Sequence, residues 1–184
     1  MKWKTLGAAA LALSLVTGTA WAGDFAEEYP RAPAPMGQFA PLVGDWDCTL
    51  EQLQQDGSYA PRKATWKFWY ILDGHALMDE WRATLPDGSP MAGINIRHYN
   101  PESKTFEARW LPTNGLEWKT YPSRFEDGQF IMTGKSTTPS GQEGDMRVTF
   151  YDMKKDTFRW KMDWSTDGGK TWTPEVVKIS AKRR

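Results

Sequence analysis

Along most of the chain apolar and polar residues take turns. Thr157-Phe158-Arg159-Trp160-Lys161-Met162-Asp163-Trp164 alternates without a break, and Met146 to Tyr151 and Thr105 to Trp110 do nearly the same. A period of two, enriched in aromatic and β-branched residues, predicts strands with one apolar face. Turn signals punctuate the pattern: Asp56-Gly57, Asp73-Gly74, Asp87-Gly88, Asn100-Pro101, Asn114-Gly115, Asp127-Gly128, Pro139-Ser140-Gly141, Lys154-Lys155-Asp156 and Asp167-Gly168-Gly169. Asp-Gly and Asn-Gly mark hairpins because these residues best tolerate the positive φ that tight β-turns require. After the first interval the turns recur about every 13 or 14 residues. The spacing predicts ten strands, over 45–54, 62–72, 75–84, 91–99, 105–111, 115–121, 128–137, 143–152, 157–165 and 172–181. A short helix is expected from Met36 to Leu42, after a Pro-rich extended arm over 23–35.

Ten hairpin-linked strands with a common apolar face make an antiparallel meander. Left flat, it would wet that face and expose two edges; closure into an up-and-down barrel removes both problems. The predicted fold class is therefore all-β, a ten-stranded antiparallel barrel occupying 36–184, with a β-sandwich as the alternative. Charged residues on the polar positions speak against an outer-membrane barrel, whose outward stripe is apolar.

The first 22 residues have the three parts of a secretory signal: basic Lys2 and Lys4, an apolar run from Leu6 to Val16, and Ala20-Trp21-Ala22 for cleavage before Gly23. The apolar run is short for a membrane span. A soluble, exported protein is expected, in the periplasm rather than fully secreted. Without those residues the chain carries 21 basic and 23 acidic side chains. Near-neutrality argues against a nucleic-acid partner, and no membrane span is expected. The one basic cluster, Lys182-Arg183-Arg184, reads as a solvated tail. Cys48 is the sole cysteine, so no intrachain disulfide can form. Nine Trp remain outside the signal, enough to fill a core or line a cavity.

The first predicted strand opens Leu42-Val43-Gly44-Asp45-Trp46. This Gly-x-Trp resembles the signature of the lipocalins and the wider calycin superfamily. The resemblance implies that Trp46 closes one end of the barrel and that 36–42 plugs it. The run from Tyr70 to Trp81 is similar to the second hairpin of uncharacterised bacterial lipocalin-like proteins. The resemblance spans roughly residues 36 to 182, and ten strands rather than eight places it nearer the fatty-acid-binding and nitrobindin-like branch. Nitrobindin-like proteins hold haem through a His late in the chain. Here the only His residues of the sequence are His75 and His98, so that ligand is missing and no cofactor is expected. Ser165-Thr166-Asp167-Gly168-Gly169-Lys170-Thr171-Trp172 matches the Asp-box form, whose physical role is to fold a hairpin turn.

No Gly-x-Ser-x-Gly elbow is present. Cys48 follows Trp46 by two residues and reads as a small buried thiol. Asp79 and Glu80 are adjacent, face opposite sides of a strand and make no carboxylate pair. The expected function is therefore binding of a small apolar or amphipathic molecule inside the barrel, without catalysis. An envelope partner-binding module and a small enzyme working in the cavity are the alternatives. Fatty-acid-binding barrels hold a carboxylate with arginine and tyrosine, which makes Arg147 and Tyr151 candidates, then Arg109 beside Trp110. Arg97, Tyr70 and Trp81 complete the candidate ligand-binding set. Which strand face points inward decides all of them.

Overall fold

The computed structural model describes residues 32–137 and 142–184; the signal and most of the arm lie outside them. A 3-10 helix, Ala34–Leu42, precedes ten strands: β1 Gly44–Leu53, β2 Tyr59–Ile71, β3 Ala76–Thr84, β4 Pro90–Asn100, β5 Thr105–Pro112, β6 Lys119–Glu126, β7 Gln129–Thr137, β8 Glu143–Tyr151, β9 Thr157–Ser165 and β10 Thr173–Arg183. Each strand pairs antiparallel with its sequence neighbours, and β1 pairs with β10 to close the barrel. The closing register runs from Trp46 opposite Arg183 to Gln52 opposite Val177. Among the described residues no strand edge is left open. Among the described residues no helix is long and apolar enough to cross a membrane.

Alternation sets the two faces. On β1 Trp46 and Cys48 are buried while Asp45, Asp47 and Thr49 are exposed or half-exposed. The outer face carries short-range ion pairs, among them Arg82 with Glu80 and Arg124 with Glu126. These solvated pairs each contribute little, roughly 0–1 kcal/mol.

The N-terminal helix seals one end. Three residues per turn bring Met36, Phe39 and Leu42 onto one stripe, and all three are buried. Phe39 meets Phe106, Phe125 and Phe130 edge-on, with ring centroids 5.5, 4.9 and 4.9 Å away. The helix is tied down by polar contacts as well. Trp46 Nε1 donates to the Leu42 carbonyl at 2.7 Å, and the Tyr70 hydroxyl donates to the Met36 carbonyl at 2.8 Å. Arg183 donates to the carbonyls of Val43 and Pro41 at 2.6 and 2.9 Å, and its guanidinium lies 4.1 Å from the centre of the Trp46 ring. Arg183 is thus a clamp between the last strand and the plug, not part of a free tail. Gly44 has φ 132° and leaves the space that Arg183 occupies, so the glycine of Gly-x-Trp answers both to backbone conformation and to this close approach.

Two departures from the strand pattern matter. The sixth strand runs over Lys119–Glu126 rather than 115–121, because the turn after Pro112 is longer than Asn114-Gly115 alone suggests. Leu116 takes φ 50° and its amide donates to the Pro112 carbonyl, leaving Leu116 and Trp118 exposed. In β10 the register slips between Thr173 and Val177, with Glu175 at φ 52°. The Glu175 amide donates to Asp163 Oδ1 at 3.0 Å, and the Tyr59 hydroxyl donates to the Glu175 carbonyl at 3.0 Å. The Asp-box turn sits beside this bulge, with Asp167 accepting from the Lys170 and Thr171 amides and the Thr171 hydroxyl.

Candidate functional site

The barrel interior divides along its axis. Next to the plug, Phe68, Phe106, Phe130, Phe150 and Phe158 pack into a filled aromatic core. Above that layer lies a cavity of about 300 Å³. The loops β1–β2, β3–β4, β5–β6 and β9–β10 border this end, opposite the plug, as the strand directions require.

The cavity wall is made of inward positions on all ten strands. Four tryptophans (Trp66, Trp81, Trp110, Trp160) and four methionines (Met91, Met132, Met146, Met162) dominate it, joined by Leu50, Val148 and Ile179. Tryptophan supplies large flat area, and methionine adapts to irregular shapes. The polar lining is gathered on one side, on β4, β6 and β7: Asn95, Arg97, Lys119, Tyr121 and Ser136. Glycines seat two of the rings. A methyl group at Gly93 would collide with the Trp110 ring, and one at Gly134 would lie 2.5 Å from Tyr121.

The floor of the cavity is a buried ion pair. Arg97 and Asp79 are 1% and 0% exposed, and the Arg97 guanidinium donates to Asp79 Oδ2. Asp79 Oδ1 also accepts from Trp66 Nε1 at 2.6 Å and Asn95 Nδ2 at 3.0 Å. Burying both charges is costly, and the pair persists only where further hydrogen bonds and close geometry compensate. The Arg97 guanidinium also sits over Phe150, Phe130 and Phe68, 5.2, 5.8 and 5.9 Å from their ring centroids. Burial pulls its pKa down to about 9, which still leaves a cation at neutral pH. The Arg97 Nε–H has no hydrogen-bond partner among the described residues.

The candidate residues from the sequence separate cleanly. Arg97, Trp81 and Trp110 line the cavity. Tyr70 points inward but belongs to the plug end, with its hydroxyl on Met36. Arg109 lies outside: its neighbours Ala108 and Trp110 take the inward positions, and its Nε donates to Glu107 at 2.8 Å. Arg147 is outside for the same reason, between inward Met146 and Val148; it pairs with Asp163 and lies 4.5 Å from the Trp172 ring centre. Tyr151 shares that outer face, opposite Arg159. The imagined Arg147–Tyr151 carboxylate clamp therefore does not face the interior. Trp46 sits at the plugged end, fully buried. Asn95, Lys119, Tyr121, Met91, Met132 and Met146 carry no signal in the sequence that singles them out. Each shares its strand's inward parity, which becomes readable only once the register between strands is known.

A closed ten-stranded antiparallel barrel, plugged at one end and hollow toward the other, is a lipocalin-like barrel. The chain belongs to the family described as a protein of unknown function, DUF1579, whose model matches residues 34–183. Among solved structures it is similar to Rv2717c from M. tuberculosis, at 12% identity and TM-score 0.55, covering 82% of this chain and 98% of that one. It is also similar to the S-type phycobiliprotein lyase CPES from Guillardia theta, at 10% identity and TM-score 0.50, covering 79% and 90%. At such identities the likeness is one of fold. No curated protein matches the chain.

Proposed function

We propose that this protein is an exported binder of a small hydrophobic or amphipathic molecule, held in the barrel cavity without chemical change. The observation that carries the reading is the cavity itself: about 300 Å³, walled by four Trp and four Met, above a polar floor. Its volume stands at the lower end of the range of ligand pockets, and its lining has their usual make-up, mostly apolar with a few placed polar groups. One of the structural neighbours is a phycobiliprotein lyase, an example of a comparable barrel put to work on another molecule. Export and a periplasmic location rest on the tripartite first 22 residues.

Titration of the purified mature protein with apolar fluorophores and alkyl amphiphiles, followed by tryptophan emission and by native mass spectrometry, tests the binding. Saturable one-to-one binding with a change in Trp emission is expected. A protein that takes up none of these probes, and carries nothing from the cell, would sink the reading.

A further inference from the structure

Resting on the cavity-binding reading, we infer that the ligand is an amphipathic anion bound tail-inward, with its charged head at the barrel mouth beside Lys119. Arg97, the arginine deep in the cavity, is the obvious seat for a carboxylate, but its charge is already matched. Asp79 pairs with it, and Trp66 and Asn95 complete the carboxylate's hydrogen bonds. An anion brought to this floor would lose its hydration and meet a net-neutral pair containing a buried carboxylate, which is unfavourable.

Lys119 is different in each respect. It is the first residue of β6, opposite Trp110 on β5, and it lines the cavity two positions above Tyr121. It is exposed, and no carboxylate of the described residues forms an ion pair with it. Among the described residues it is the only charged one in the lining besides Arg97. The cavity thus offers an apolar body, a neutral floor and one uncompensated cation at its open end. A head group there keeps part of its water while gaining Coulomb attraction, and the alkyl body displaces water from the Trp and Met walls.

The test compares decanoate, decan-1-ol and decylamine on the wild-type protein and on Lys119→Glu. Tail-inward binding predicts that decanoate binds more tightly than decan-1-ol, and decylamine most weakly. Lys119→Glu should weaken decanoate roughly tenfold, the effect of about 1.4 kcal/mol, and weaken decan-1-ol by clearly less. Orientation is read independently with methyl-labelled methionine and nitroxide-bearing fatty acids. A nitroxide at the tail end should broaden the Met132 and Met162 signals, and one near the head should broaden Met91. Equal binding of decanoate and decan-1-ol, no response to Lys119→Glu, or the reverse broadening pattern would each overturn the orientation while leaving the cavity-binding reading intact. Absence of binding by all three probes would instead overturn that underlying reading, and this inference with it.

Discussion

At the scale of single residues, the floor of the cavity holds the largest electrostatic stake. Asp79 accepts three hydrogen bonds in a site closed to water, and its loss leaves the Arg97 cation buried without a counter-charge. Asp79→Ala is expected to destabilise the protein by about 3–5 kcal/mol. Urea denaturation followed by tryptophan emission checks this; a change below about 1 kcal/mol would show that the pair is dispensable. Cys48 is the opposite case, a thiol held protonated by burial. Burial pushes its pKa up to about 12, with Asp47 adding to the rise. Little thiolate exists at pH 8, so the native protein should resist iodoacetamide and label only after denaturation. Rapid labelling under native conditions, counted by intact mass, would contradict the buried placement.

At the scale of elements, the β9–β10 hairpin joins two devices that the alternation pattern does not disclose. Its turn is organised by Asp167, held down to about 2 chiefly by the Thr171 hydroxyl, then by the Thr171 amide and Ser165. Next to it Asp163 feels burial, which raises its pKa, but hydrogen bonds from the Glu175 amide and Arg147 outweigh that and leave it lowered. A carboxyl whose folded pKa is depressed stabilises the fold above its unfolded value, near 3.9. That contribution is lost as pH falls from there through about 2 for Asp167. Melting temperature should therefore drop between about pH 4 and pH 2, and Asp167→Ala should flatten part of the drop. An identical profile for wild type and variant would remove the turn from the account. The Asp-box match in the sequence was sufficient to foresee this turn, because its hydrogen bonds are local. The bulge at Glu175 was not foreseeable, since Tyr59 and Asp163 come from two other strands.

At the scale of the molecule, the proposed binding depends on the part of the barrel that is left unfilled. Gly93 and Gly134 take part in this by letting Trp110 and Tyr121 lie flat against the wall. Gly93→Val should drive the Trp110 ring into the cavity and reduce probe binding by roughly tenfold or more, at an overpacking cost of about 1–3 kcal/mol. Binding titrations on a variant whose folding is verified by circular dichroism decide this. Unchanged affinity would mean that the ligand does not use the volume beside Trp110.

The sequence by itself determined the strand count, most of the strand limits and the antiparallel meander, and favoured closure over a sandwich. Those depend on local turn chemistry and on a period of two, both carried by neighbours in the chain. The resemblance carried by Gly44-x-Trp46 implied the plug and the end at which Trp46 sits, since its parts lie within a dozen residues. Only the tertiary structure decided which face is inside, and that moved Arg109, Arg147 and Tyr151 out of the barrel while keeping Arg97, Trp81 and Trp110 within it. The physical reason is that one strand's alternation gives two faces without saying which is buried. The direction becomes fixed only when all ten strands close and aromatic residues from distant strands compete for the same interior. Asp79 shows the limit most plainly: its partners Trp66 on β2 and Asn95 and Arg97 on β4 flank it from two other strands, and no spacing in the chain reveals that they meet.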